Sequence, residues 1–422
     1  MLNTTALLTD RYELTMLQAA RHSGTADRNC VFEVFTRHLP NGRRYGVVAG
    51  IGRVLEQIQN FRFDQATLEW LNQEKVVDAA TIEWLANYSF KGNISGYREG
   101  EIYFAHSPIL TVESTFAEAV LLETLILSIL NYDSAVASAA SRMASAANGR
   151  FLAEMGSRRV NEHAAVAAAR AAYIAGFDAS SNLEAGRSYG VPTMGTAAHA
   201  FTLLHDTEEQ AFKAQLETFG EKTTLLVDTF DIENAVRKAI SLAPNLGAVR
   251  IDSGDLGVEV KRVRQLLDSL GAAETKITVT NDLDEFAIAA LAAAPVDSYG
   301  VGTSVATGSG ASTAGFVYKL VSHQNADGSW TDVAKTSALK ANQGGKKFAA
   351  RTATAELIGT ESIDEGRNLV VEMVASGQVN PEFIGKAAVQ NARAHHLIAK
   401  AELPLAGLRL MRGDAALPTV SR

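Results

Sequence analysis

From about residue 150 the apolar positions fall into one repeated unit: a short β-rich run, a polar turn, then apolar residues on one helical face. The runs lie at 151–154, 176–179, 191–195, 224–228, 248–252, 276–280 and 298–302, with 316–321 as a candidate eighth. The unit is clearest around Arg250. Ala248 to Ile251 reads as a strand and Asp252-Ser-Gly-Asp255 as a turn, while Leu256, Val260, Val263, Leu266, Leu267 and Leu270 line one face of a helix. Seven to eight such units predict an α/β fold, an irregular (β/α) barrel of parallel strands. A doubly wound open sheet has the same strand count and remains the alternative.

The flanking segments have a different texture. A helix is expected from Thr9, with Leu14, Leu17 and Ala20 on one face and Tyr12 in its first turn. The run 31–36 is β-rich, two Trp-bearing helical stretches follow, and 95–104 and 109–116 read as strands joined through Pro108. Residues 117–147 form a long helix whose second half is rich in Ala and Ser. Beyond Val321 a turn-rich loop at 325–329 leads into a hairpin, 335–351 is basic and glycine-containing, 356–358 and 369–374 regain strand character, and 381–400 reads as a helix with Pro381 in its first turn. The predicted division is an α+β domain at 1–116, the barrel at 117–335 and a C-terminal segment at 336–422 that packs with both, so that the two termini build the α+β domain together.

Composition narrows the function classes. A chain of 422 residues with 47% hydrophobic content can bury a large core and is expected to form two domains. A net charge of −8 without a basic, aromatic-bearing stripe argues against nucleic acid. Cys30 is the only cysteine, which excludes disulfides within the chain and a cysteine-cluster metal site and fits a reducing compartment. The first ten residues lack the basic and apolar regions of a signal peptide, and the richest apolar run, 117–129, carries Glu118 and Glu123. No membrane span and a cytoplasmic location are expected.

In a barrel, the turns after the strands share one rim, so many weak signals make a single prediction. Arg158 and Arg159 follow the first run and suit carboxylate or phosphate, or form a solvated pair. Ser180 and Ser181 can bind a ligand or cap the next helix. His199 has no acid within several residues, and Asp228, at the end of the next run, can orient it. A lone histidine is more often structural. Asp252 and Asp282 are carboxylates suited to ribose hydroxyls or Mg2+, and Gly302 with Thr303 belongs to a glycine- and hydroxyl-rich loop that can cradle phosphate, although it is no Walker loop. Together the rim suits a phosphorylated sugar better than a neutral metabolite.

Seven ordered stretches carry a family resemblance: Leu8-Thr-Asp-Arg-Tyr-Glu-Leu-Thr-Met16, Phe32-Glu-Val-Phe35, Glu154-Met-Gly-Ser-Arg-Arg159, Gly176-Phe-Asp-Ala-Ser-Ser-Asn182, Gly195-Thr-Ala-Ala-His199, Val249-Arg-Ile-Asp-Ser-Gly-Asp255 and Gly302-Thr-Ser304. Over most of its length the chain resembles the nicotinate phosphoribosyltransferases. The resemblance implies synthesis of nicotinate mononucleotide and pyrophosphate from nicotinate and phosphoribosyl pyrophosphate, in an ATP-dependent, ligase-type reaction with Mg2+ that serves NAD salvage. It implies a homodimer whose sites draw on both chains. It makes His199 the acceptor of a phosphoryl group from ATP, with Asp228 orienting the ring. Tyr12 stacks on the pyridine ring from the partner subunit, and Arg158 or Arg159 holds the nicotinate carboxylate or the pyrophosphate. Arg250 meets the pyrophosphate, Asp252 the ribose hydroxyls, and Gly302 with Thr303 the 5′-phosphate. Ser181 stands where amide-specific relatives carry aspartate, which favours the acid over the amide. Asp255 is left as a helix cap. Ser157 departs from a bulkier residue of some relatives, 344–347 matches a family loop only loosely, and the cysteine-rich extensions of some relatives are missing, so zinc is not expected. The rival readings are a nicotinamide or quinolinate phosphoribosyltransferase and a catalytically silent nucleotide-binding paralogue.

Overall fold

The computed structural model describes residues 4–335 and 343–422; the very start of the chain and part of the basic 335–351 stretch lie outside these residues. The chain divides into two compact units. One combines Met1–Ser138 with Ala311–Arg422, and the other is Ala139–Gly310.

The first unit is organised on the strand Asn29–Thr36, which is buried from its second residue onward because it lies inside a sheet. Phe316–Gln324 pairs on one side of it and Leu110–Thr115 on the other, both antiparallel. The seven-stranded sheet continues outward through Trp330–Asp332 at one edge, and through Asn93–Tyr97, Val370–Ala375 and Gln378–Val379 at the other. Phe316–Gln324 contains the candidate eighth barrel strand, which therefore belongs to this antiparallel sheet instead. The reason lies in its alternation: Phe316 and Tyr318 point into the first unit's core, where Tyr318 stacks on Phe32 with ring centroids 4.9 Å apart. The division accordingly falls at 138/139 and 310/311, not at the expected 117 and 335. Its first edge lies within the helix Glu123–Ala147. Arg11–Ser23 buries Leu14, Leu17 and Ala20 as its spacing requires and ends on Gly24 in the left-handed region. Its N-cap is Asp10, since the Thr9 hydroxyl donates to the Leu121 carbonyl instead.

Ion pairs are buried in the same unit. Arg351, on the strand Phe348–Arg351, lies between Glu101 at 3.1 Å and Glu356 at 2.6 Å. Arg367 joins Glu101 at 2.8 Å to Glu402 at 2.7 Å, and His395 reaches Glu101 at 2.8 Å. Burial alone would raise the Glu101 carboxyl, but His395 and the two guanidiniums hold it down to about 2. On the helix Gly385–Ala401, burial lowers His396 to about 4 while its Nδ1 donates to the Gly100 carbonyl at 2.9 Å. Gly100 itself has φ +85°, and a Cβ there would lie 2.3 Å from the Ala392 carbonyl of that helix.

The second unit alternates strands and helices. Its six strands are all parallel, in the order Ala179–Ser180, Phe151–Glu154, Ser298–Val301, Lys276–Thr280, Ala248–Ile251, Thr224–Leu226. After the first strand, each except Thr224–Leu226 neighbours its chain predecessor, and the last, Ser298–Val301, pairs with the first, Phe151–Glu154. That closure distinguishes a barrel from a doubly wound sheet, whose strand order reverses at a switch point. The wall is interrupted at one place. The run expected at 191–195 contributes a single bridge, Thr193 to Ser180, because Pro192 has no N–H for a ladder; its carbonyl accepts from Ser180.

Candidate active site

The carboxyl ends of these strands gather the polar residues. A cavity of about 200 Å³ is lined by Met155, Arg158, Arg159, Arg250, Asp252, Thr280, Asn281, Asp282, Gly300, Gly302 and Thr303. It is small and polar. A larger cavity of about 520 Å³ lies in the first unit beside Phe35, His106 and Lys347, so chemistry and not size singles out the barrel rim.

The turn after Phe151–Glu154 carries Arg158 and Arg159, both exposed, whose guanidiniums have no protein partner among the described residues. Two uncommitted guanidiniums at a cavity wall are ready donors for an anion. The turn is fixed from below by Glu154, which is fully buried. One carboxylate oxygen accepts from the Gly156 N–H at 2.5 Å and the other from the Ser180 hydroxyl at 2.6 Å. Burial pushes this carboxyl up, against the pull of those two hydrogen bonds. Gly156 is required by close approach, since a Cβ would sit 2.6 Å from that of Ala306 and 2.8 Å from the Gly302 carbonyl. The pairing of first and last strands thus brings the arginine turn against the Gly302-Thr303 turn.

Ser180 is buried and its hydroxyl is occupied, donating to Glu154 and accepting from the Asn182 N–H, so it does not line the cavity. Ser181 is exposed, with its N–H bonded to the Glu154 carbonyl. Asn182 is the residue that caps Leu183–Tyr189. Asp255 caps Leu256–Ser269 and Asp284 caps Glu285–Ala290. Asn281 and Asp282 have φ of 153° and 38°, an uncommon pair for residues with a Cβ, and both face the cavity.

His199 opens the helix His199–Leu204, and its Nε2 lies 3.1 Å from Asp228 Oδ1. Asp228 follows Thr224–Leu226 and is all but inaccessible, whereas His199 is 39% exposed, enough for its other nitrogen to meet a substrate. The second oxygen of Asp228 accepts from the Asp252 N–H at 2.8 Å and from the Ser253 hydroxyl at 2.7 Å. Arg250 closes the circuit. Its Nη1 donates to Thr196 Oγ1 at 2.7 Å and to the Ala197 carbonyl at 3.1 Å, and its Nη2 is 3.9 Å from Asp252 Oδ1. The Nε of Arg250 is buried and has no hydrogen-bond partner. Thr280 Oγ1 donates to Asp252 Oδ1.

Glu154, Thr196, Ser253, Thr280 and Asn281 therefore belong to the site although the sequence assigned none of them a role. An acid ending an otherwise apolar strand was the available signal for Glu154. Tyr12 belongs to the first unit, where its ring is 44% exposed on the helix Arg11–Ser23. Among the described residues no cluster of three or more His, Cys, Asp or Glu side chains could hold a metal ion.

A parallel barrel, open at one seam, whose rim sets uncommitted arginines beside carboxylates is of the phosphoribosyltransferase type. Comparison with known proteins makes this specific. The family model described as the nicotinate phosphoribosyltransferase N-terminal domain matches residues 7–131, and that of the nicotinate phosphoribosyltransferase family matches residues 151–361. A nicotinate phosphoribosyltransferase of Mycobacterium tuberculosis is 53% identical, with 98% of this chain and 94% of the relative covered. That of Bacillus subtilis is 36% identical over 79% of this chain and 69% of the relative. In fold, the crystal structure of human nicotinic acid phosphoribosyltransferase matches with a TM-score of 0.83 at 23% identity, covering 98% of this chain and 97% of the other. The chain belongs to the nicotinate phosphoribosyltransferase family. No helix among the described residues is long and apolar enough to cross a membrane.

Proposed function

We propose that this chain joins nicotinate to phosphoribosyl pyrophosphate, giving nicotinate mononucleotide and pyrophosphate for NAD salvage, and that it couples the reaction to ATP through His199. Transfer itself exchanges one bond for another: the pyridine nitrogen's lone pair forms the bond to ribose C1, and the C1–oxygen bond to pyrophosphate breaks. Arg158 or Arg159 holds the nicotinate carboxylate or the pyrophosphate, Arg250 meets the pyrophosphate, and Asp252 accepts from the ribose hydroxyls. Gly302 and Thr303 receive the 5′-phosphate. Mg2+, when bound, offsets charge on the phosphates.

The ATP-coupled reading rests on one observation, the bond from His199 Nε2 to buried Asp228. It fixes the tautomer with hydrogen on Nε2 and leaves the Nδ1 lone pair open. That lone pair attacks the γ-phosphorus of ATP, the bond to the β-phosphate oxygen breaks, and ADP leaves with the electron pair. Water later takes the phosphoryl group and returns the electron pair to the ring. The exposed ring of Tyr12 supports a homodimer in which it stacks on the base bound by a partner chain. A cytoplasmic location agrees with the substrates.

Steady-state turnover on nicotinate, nicotinamide and quinolinate, each with and without ATP, tests this reading. Nicotinate should be preferred and ATP should stimulate; a preference for quinolinate would sink the assignment. His199→Ala should lose the ATP stimulation and the label from γ-phosphate while retaining ATP-independent transfer. A catalytically silent paralogue would bind these ligands without turnover or labelling.

A further inference from the structure

A further cavity of about 510 Å³ opens on the first unit, and none of the residues given a part in the reaction lines it. Its walls are apolar. Met16 and Ala19 come from the helix Arg11–Ser23, Phe116 opens the helix Phe116–Val120, and Leu320 belongs to the strand Phe316–Gln324. The Ser23 and Thr25 hydroxyls that also line it are spent on each other and on the Ala20 carbonyl. Arg28, Cys30 and His323 are the remaining polar members.

A β-bulge brings His323 to this face. Cys30 lies opposite His323 and Phe32 opposite Leu320, so Phe316–Gln324 carries one residue more than its partner over this stretch. Leu320 and His323, three apart, thereby share the face of Cys30 and Phe32, whereas in an unbroken ladder they would point to opposite faces. The Nδ1 of His323 is buried with no hydrogen-bond partner, which costs free energy until something supplies one. Arg28 is exposed, and no hydrogen bond or ion pair engages its guanidinium among the described residues. Cys30 is 2% exposed, and burial pushes its thiol up to about 11, so it stays neutral and extends the apolar wall.

We infer that this cavity binds a small amphipathic carboxylate, its apolar body between Met16, Phe116 and Leu320 and its carboxylate on Arg28 and the Nδ1–H of His323. Apolar walls with a few convergent polar groups are the usual make-up of a small-molecule site. Both polar groups donate, and the guanidinium is always charged, which selects an anion over a cation or a neutral molecule of the same shape. The transfer chemistry on the barrel plays no part in this.

Titration calorimetry of the full chain with decanoate, decanol and decylamine, all below micellar concentration, tests it. Decanoate should bind at a single site per chain, decanol about tenfold more weakly for want of a charge-assisted hydrogen bond, and decylamine not measurably. Arg28→Gln should bring decanoate down to the level of decanol. Ala19→Trp, which fills the cavity from an exposed position, should abolish binding of both, and thermal melts show whether each variant is folded; if Ala19→Trp is not, Arg28→Gln decides. Saturating nicotinate and phosphoribosyl pyrophosphate should leave the affinity for decanoate unchanged. Displacement by either substrate would put decanoate in the reaction site, equal affinity for decanoate and decanol would mean hydrophobic adsorption only, and binding that survives Ala19→Trp would lie elsewhere. Each of these overturns the inference. So does the absence of binding, or binding that appears only when an oligomer is diluted, which would assign the cavity to a second copy of the chain.

Discussion

Ser181 is the residue to which the family resemblance gives the choice between acid and amide. Its backbone N–H is bonded to the Glu154 carbonyl at 2.8 Å, which fixes the chain while its side chain stays exposed. The side chain can therefore be exchanged without disturbing the strand. If Ser181 faces nicotinate as the family resemblance implies, Ser181→Asp sets a carboxylate against that of the substrate, and like charges in juxtaposition cost several kcal/mol. The KM for nicotinate should rise roughly 10- to 100-fold, which is about 1.4–2.8 kcal/mol. Stability should change by less than about 0.5 kcal/mol, as at other exposed positions. An unchanged KM for nicotinate, read beside a thermal melt, would remove Ser181 from selectivity. The sequence made the His199–Asp228 pairing legible, because successive strand ends are neighbours in a barrel. It misplaced Ser180 for an equally physical reason: Ser180 stands opposite Glu154 in the parallel register, so its hydroxyl meets a carboxylate inside the wall, and register is not visible along one strand.

At the level of elements, the buried charges that join Phe348–Arg351, Arg367–Asn368 and Gly385–Ala401 to Glu101 have a pH signature. His396 is lowered from 6.5 to about 4, so the stability of its neutral form is fully present above pH 6.5 and lost as pH falls toward 4. Lys400, Glu101 and His395 face it, and only Glu101 favours its charged form. Glu101 is lowered from 4.5 to about 2, so its contribution disappears later, between pH 4.5 and 2. The urea midpoint should decline from pH 6.5 downward in two stages, and a flat profile to pH 4 would contradict the burial of His396. Glu101→Gln should cost about 1–3 kcal/mol, because Arg351, Arg367 and His395 each lose one charged partner while Glu356 and Glu402 stay with the two arginines. The sequence showed the charges and the helix. It could not show that they converge, since Glu101 and Arg351 are 250 residues apart in the chain. The strand at 316–324 was misplaced on the same ground, because its period of two fits either sheet and only the partner decides.

On the scale of the molecule, the first unit is assembled from both ends of the chain, with the barrel inserted between them. That arrangement was legible from texture, since strand and helix alternate regularly only in the middle. The exact limits were not, because the helix Glu123–Ala147 runs through one of them without a break in its pattern. The barrel wall was overcounted by one full strand, at Pro192. Between Ser180 and Thr224 that wall has a seam, bordered on the Ser180 side by the one bridge to Thr193, and the histidine loop lies in it. Protection from hydrogen exchange follows the free energy of local opening. Amides at 195–198 should take up deuterium well before those of Ala248–Ile251, and equal rates would mean a continuous wall. Everywhere else around the barrel, moving a turn pulls on a paired strand. At the seam it does not, so the loop that carries His199 can change shape and return while the staves beside it stay in place.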